Sequence, residues 1–242
     1  MYHSLDESGS VVSVSPELFA RQMEHLVARG YETVTFAGAV ELLRAGSPAP
    51  ERCVVITFDD AYENVYTRAF PVLQRHGFTA TIFAISAYCG CHNDWPGHES
   101  PVGRLALMSW AGLREVHRHG IEVGAHTRTH PDLSHLSAAA AEAEILTGAE
   151  EIQERLGAGV STFAYPYGGF NEVARSIVGE RFRGACTTRL GLATDQEDPY
   201  LLPRIDAYYF RQRSLFTSLP GPALRAYLGG RQLLRDFKKS IL

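Results

Sequence analysis

Short apolar runs alternate with amphipathic stretches of helical period along most of this chain, and polar residues suited to chemistry sit just after the apolar runs. Six or seven such alternations predict an α/β fold, a mostly parallel sheet with crossover helices. The expected form is a distorted (β/α) barrel of about seven strands with a C-terminal helical tail. The periodicity predicts helices over 17–29, 39–44, 65–76, 110–119, 137–156 and 171–178. It predicts strands over 33–36, 53–57, 80–85, 121–125, 162–165 and 184–187. Ser15-Pro16 starts the first helix, Gly30 ends it, and Ser137 is placed to cap the long Ala/Glu-rich one. Functional residues of such barrels sit at the C-terminal ends of strands. Asp59-Asp60, His126 and Tyr165-Pro166-Tyr167 each follow a predicted strand, so three strand ends direct chemistry at one rim.

Two fragments carry that chemistry: Thr57-Phe58-Asp59-Asp60 and His126-Thr127-Arg128-Thr129-His130. Together they offer a divalent metal one carboxylate and two imidazoles, with a second carboxylate to spare, the inventory of a metal-dependent hydrolase. Successive side chains leaving a strand diverge, so Asp60 is assigned to the metal and Asp59 to the general base. His126 and His130 reach one ion if the segment after Ala125 turns as a helix. An imidazole pair at that spacing arises by chance on many surfaces; coupled to Asp-Asp at another strand end it becomes specific.

The remaining features set bounds. At 242 residues, 45% apolar and 21% charged, the chain reads as an ordinary globular protein. A net charge of −4 gives no support to a nucleic-acid partner. No apolar run is long enough for a membrane span, and Met1 to Glu7 lacks the look of a secretory signal, so a cytoplasmic address is expected, unless the protein rides on a membrane surface. Cys53 and Cys186 read as small core residues, and Cys89-Gly90-Cys91 lacks the second pair a zinc clip needs. The irregular stretch 88–107 carries Asp94 and Trp95, which with Tyr165 and Pro166 are the candidate substrate contacts. Trp95 could equally be the hydrophobic anchor of a surface loop. The catalytic domain is expected over 1–215 and a basic amphipathic helical tail over 216–242. In the tail, Leu224, Tyr227, Leu228, Leu234, Phe237 and Ile241 recur at helical spacing, and five basic residues face a single Asp236. It reads either as a terminal helix docked on the barrel or as a weak membrane-surface contact, and Gly229-Gly230 is expected to interrupt it.

These motifs resemble those of the polysaccharide deacetylase (NodB-homology) family, metal-dependent carbohydrate N-deacetylases. Thr57 to Asp60 resembles the first family motif, His126 to His130 the second, and Phe163-Ala164-Tyr165-Pro166-Tyr167-Gly168 the third. Met1-Tyr2-His3-Ser4 and Asn93 to Gly97 resemble a branch of exopolysaccharide and surface-glycan enzymes. The resemblance covers roughly residues 1–210 and implies that Asp60, His126 and His130 hold the metal, commonly Zn2+, that Asp59 is the base, and that the Tyr167 backbone N–H helps bind an oxyanion. Two departures stand out. Ala164 occupies the place where the family carries an arginine that pairs with the base, and Arg204 is the candidate replacement. The late Leu-x-His element that supplies the catalytic acid is missing, since no histidine follows His135; His3 matches the arrangement of a branch that uses an N-terminal histidine. The implied substrate is an N-acetylated carbohydrate: a surface glycan, an exopolysaccharide or a lipid-linked intermediate. The rivals are an amide hydrolase acting on a non-sugar substrate and a degenerate barrel that only binds glycan.

Overall fold

The computed structural model describes residues 1–46, 50–97, 102–211 and 213–241. Its strands are β1 (Ser4–Leu5), β2 (Ser13–Val14), β3 (Glu32–Thr33), β4 (Cys53–Val54), β5 (Thr57–Asp59), β6 (Thr81–Ala84), β7 (Glu122–Ala125), β8 (Thr162–Ala164), β9 (Gly184–Leu190) and β10 (Leu202–Arg204). The last six form one curled sheet in the order β10-β9-β8-β7-β6-β5, every neighbour parallel. The other four pair off as β1-β2 and β3-β4. An all-parallel sheet needs cover on both faces. The helices provide it: α1 (Pro16–Ala28), α2 (Phe36–Arg44), α3 (Phe70–Arg75), α4 (Trp110–Arg118), α5 (Ala138–Glu142), α6 (Gly148–Leu156), α7 (Glu172–Arg181), α8 (Arg213–Thr217) and α9 (Pro222–Ile241). A π-helical turn over Val65–Ala69 leads into α3, and another over Ala143–Thr147 joins α5 to α6.

The sheet is a half-barrel with an opening between its edges, β5 and β10. The first residues of the chain lie in that opening. Tyr2 donates to Thr57 O at 2.8 Å and accepts from Asp59 N at 3.0 Å, while Ala207 N donates to Met1 O at 2.8 Å. Tyr2 thus stands beside Phe58 as a parallel stave, and His3 emerges at the same rim as the ends of the strands. At the opposite end α2 plugs the barrel: Phe36 and Val40 pack with the inward-facing Phe83, Ala164, Cys186 and Leu202. A polar knot ties the N-terminal ends of three strands to that plug. Glu122 accepts from Thr81 Oγ1 at 2.8 Å, Thr162 Oγ1 at 2.5 Å and Ala37 N at 2.9 Å.

Three expectations are corrected. The run 53–57 is two strands: Cys53–Val54 pairs with β3 outside the main sheet, and only from Thr57 does the chain join β6. Phe36 begins α2 and does not end a strand, because Thr35 turns its side chain to accept from Gly38 N as an N-cap. α9 runs unbroken through Gly229-Gly230. Two glycines cost about 1 kcal/mol each in a helix, and the burial of Leu224 and Leu228 against the body outweighs that. No helix among the described residues is long and apolar enough to cross a membrane.

Candidate metal centre and active site

β5 ends at Asp59, and the next two residues, Asp60 and Ala61, adopt left-handed backbone angles, φ 68° and 57°. That turn sends the two carboxylates in different directions, as their adjacency at a strand end requires. Asp59 faces β10. Arg204 Nη1 and Nη2 each donate to one of its oxygens at 2.7 Å, and Arg204 also reaches Thr57 Oγ1 at 3.2 Å and Thr187 O at 3.0 Å. Burial alone would push the Asp59 carboxyl up; the Arg204 guanidinium outweighs it and brings the group down to about 2. Asp59 is therefore a fixed, ionised acceptor. His3 Nε2 lies 4.0 Å from its Oδ2.

Asp60 faces β7 and the loop beyond it. Its Oδ1 is buried without a hydrogen-bond partner. It stands 3.4 Å from His126 Nε2 and 3.3 Å from His130 Nε2, and the two imidazole nitrogens are 3.3 Å apart. His126 Nδ1 is 2.7 Å from Ala164 O; a carbonyl only accepts, so the proton sits on Nδ1 and the lone pair on Nε2 faces the triangle. Burial lowers the His130 imidazole, whereas for His126 the neighbouring Asp60 carboxylate overrides burial and raises it. The contrast follows from crowding: three electron-pair donors converge, and a proton on one imidazole opposes a proton on the other. A divalent cation satisfies all three at once. In the plane of the three atoms the equidistant point is about 1.9 Å from each, near the roughly 2.0–2.1 Å of a zinc–nitrogen bond. The donor set thus fits the metal that the motifs imply.

The histidine segment is not the helical turn expected of it. The loop after β7 has left-handed residues at Thr127 (φ 64°) and His130 (φ 65°), and His130 N donates to Thr127 Oγ1 at 3.0 Å. Two reversals of backbone hand, where a helix would use a side-chain spacing of one turn, bring the rings together with centroids 4.8 Å apart. Tyr167, at the end of β8, is also left-handed (φ 58°). Among the described residues, all five non-glycine residues of positive φ lie in these three segments. Strain gathered at one place marks a site whose geometry the surroundings enforce.

The other expected residues separate into two groups. Trp95 is buried and belongs to the site: its Nε1–H donates to the Tyr167 hydroxyl at 3.1 Å, and its ring lies 4.5 Å from that of His130. The same hydroxyl is 3.2 Å from His130 Nδ1, so the Tyr167 phenol meets an imidazole of the candidate donor set. Asp94, Tyr165 and Pro166, the remaining candidate substrate contacts, differ in exposure. Asp94 pairs with Arg104 on the surface at 3.1 Å. Tyr165 and Pro166 are buried, the tyrosine ring packed on Phe163 and Phe170. β8 has ended by Tyr165, and the tight turn over Pro166–Gly168, with Tyr167 left-handed, leaves Tyr167 half exposed while Tyr165 stays buried.

Sequence reasoning missed Gly148. A Cβ there would lie 2.7–2.9 Å from backbone atoms of Thr127 and Arg128, so only glycine lets α6 approach the histidine loop this closely. A glycine within an Ala/Glu-rich helix gives no hint of this.

A family model described as polysaccharide deacetylase matches residues 46–180. The Bacillus subtilis protein YxkH, provisionally named a polysaccharide deacetylase, is 29% identical over 85% of this chain and 69% of its own length. A poly-beta-1,6-N-acetyl-D-glucosamine N-deacetylase of Escherichia coli is 32% identical over 52% of this chain, which spans only 20% of that relative. Among solved structures, the Streptococcus pyogenes deacetylase PplD in complex with acetate superposes with a TM-score of 0.75, covering 85% of this chain and 89% of that one at 23% identity, a likeness of fold.

Proposed function

We propose that this chain, which belongs to the polysaccharide deacetylase family, is a metal-dependent N-deacetylase that hydrolyses an acetamido group on a carbohydrate. The observation that carries the reading is the convergence of Asp60 Oδ1, His126 Nε2 and His130 Nε2 beside an Asp59 locked in its ionised form by Arg204. A buried N2O donor set with one acidic ligand favours Zn2+. A divalent ion held there would polarise an amide carbonyl and acidify a water molecule. The chain's residues supply the rest. Asp59, ionised beside the donor set, is the candidate acceptor of a proton from water so acidified. His3, on the same rim and within reach of Asp59, delivers a proton to the departing amine, which leaves poorly without one. The Tyr167 backbone N–H is the candidate oxyanion donor. Arg204 pairs with Asp59 and His3 lies 4.0 Å from it, which supports reading the two as replacements for the family's missing arginine and late histidine and favours an active enzyme over a degenerate glycan-binding barrel. The name of the Escherichia coli relative supports a polymer of N-acetylglucosamine as the substrate class.

The test is acetate release from a panel of N-acetylated glycans and non-sugar amides, with chelator and after metal is returned. Acetate from glycans, abolished by chelation and by Asp59→Asn, is expected. Metal-loaded protein that releases none from any glycan would overturn the reading. His3→Ala should lower the rate by about 10²–10⁴-fold, the range for a general acid, with metal content unchanged; full activity would remove His3 from its role.

The terminal helix adds a weak membrane-surface contact to this proposal. Leu233 and Phe237 are 73% and 65% exposed on a helix carrying Arg225, Arg231 and Arg235. Arg225 and Arg231 are exposed on this helix, while Arg235 donates to Thr188 O; exposed apolar and basic residues on one helix suit an anionic lipid surface. Co-sedimentation with anionic but not neutral vesicles, reduced by Leu233→Ser, is the expected outcome; equal recovery from both vesicle types would remove the contact.

A further inference from the structure

We infer that Glu144 is a positioning residue for the metal centre: its carboxylate, from the helix behind, fixes the loop that carries His126 and His130. The inference rests on the reading of those histidines as ligands. Between them lie Arg128 and Thr129, whose backbone N–H groups belong to no helix or strand. Glu144 takes both. Its Oε2 accepts from Arg128 N at 3.0 Å and Thr129 N at 2.8 Å, and its Oε1 accepts from Thr129 Oγ1 at 2.7 Å. One carboxylate thus holds three donors from two consecutive residues, and charged acceptors make the stronger bonds.

The clamp acts where the backbone is most strained. Thr127 and His130, on either side of the clamped pair, both have positive φ. Without an anchor between them, the loop is free to relax toward the right-handed angles that L-residues prefer, and the imidazoles then swing apart. The same helix face reinforces the hold. Gly148, four residues on, admits the backbone of Thr127 and Arg128 at close range. Glu151, three further, accepts from Arg128 Nε at 3.0 Å and Ser86 Oγ at 2.5 Å. These three bonds go to Arg128 and Thr129 and not to the imidazole rings, so Glu144 acts through the loop. Partners that orient metal ligands typically change affinity by about 10- to 100-fold when removed.

The experiment measures the Zn2+ dissociation constant of the full chain by chelator competition, together with amide hydrogen exchange at Arg128 and Thr129 in metal-free protein. Glu144→Ala is expected to weaken Zn2+ binding by about 10- to 100-fold and to remove protection of those two amides. Glu144→Gln, which can keep all three bonds by accepting both N–H groups on one atom and donating to Thr129 Oγ1, is expected to retain affinity within a few-fold. Glu150→Ala, an exposed position on the same helix, is the control and should change nothing. Unaltered affinity in Glu144→Ala overturns the inference, as does a loss in Glu144→Gln equal to that in Glu144→Ala, which would make charge alone responsible. If Glu144→Ala does not fold, Thr129→Val removes one leg of the clamp, and the expected result is a measurable loss of affinity; no loss overturns the inference. Wild-type protein that takes up no Zn2+ would instead defeat the ligand reading, and the exchange data keep that failure distinct.

Discussion

The Asp59–Arg204 pair shows how much one side chain decides when it is buried. Both residues are almost fully enclosed, and two 2.7 Å bonds join them across the opening of the half-barrel. Removing one member of a buried pair leaves a charge without compensation, at about 3–5 kcal/mol. Arg204→Met is therefore expected to lower unfolding stability by that amount in urea titration. Adding Asp59→Asn should restore a large part of it, because the remaining partner is then neutral; strict additivity of the two would contradict the coupling. Arg204→Lys keeps the charge but loses the planar fork, and its stability should fall between the wild type and Arg204→Met. The pair was only partly legible in the sequence. Ala164 in the arginine's usual place pointed to a replacement, yet nothing local to Leu202-Pro203-Arg204 says that its side chain crosses to another strand.

Elements carry the next level of control, and one glycine inverts ordinary helix logic. Replacing a helical glycine by alanine favours the helix by about 1 kcal/mol on propensity. At Gly148 the added Cβ would sit within 3 Å of Thr127 and Arg128 backbone, so Gly148→Ala should weaken metal binding while the helix itself gains. Metal titration of that variant checks it, and unchanged affinity would show that the loop yields without cost. Glu122 works at the other end of the strands. Its carboxylate joins β6, β7, β8 and the first turn of α2, so Glu122→Ala leaves buried donors unpaired. A loss of about 1–3 kcal/mol is expected, with no change in metal affinity, since the knot lies at the end remote from the rim. The alternation of apolar runs was enough to place most strands and helices. It failed where a cap or a change of partner strand set the boundary, as at Thr35 and Val55, because those depend on which neighbour arrives.

For the molecule as a whole, a metal that bound only the folded chain would link the site to global stability. At a free concentration 100 times its dissociation constant such a ligand adds about 2.7 kcal/mol, which for a chain of this size raises Tm by roughly 5–11 °C. Calorimetry with Zn2+ and with chelator should show that difference, and Asp60→Ala should abolish it; an equal shift in the variant would place the ion elsewhere. The architecture prepares the link: strand ends contribute Asp59, Asp60, Tyr167 and Arg204, the loop after β7 contributes the histidines, and the stave formed by residues 1–3 brings His3 to the same rim. The sequence by itself determined the chemistry on offer and the class of fold, because metal-ligand atoms belong to residue types and hydrophobic period dictates which backbone can bury its apolar face. Only the tertiary structure decided which of those atoms meet. Left-handed turns at Asp60, Thr127 and His130, the inward burial of Tyr165 and the reach of Arg204 across the opening are each enforced by neighbours distant in the chain, and such contacts leave no local periodicity to read.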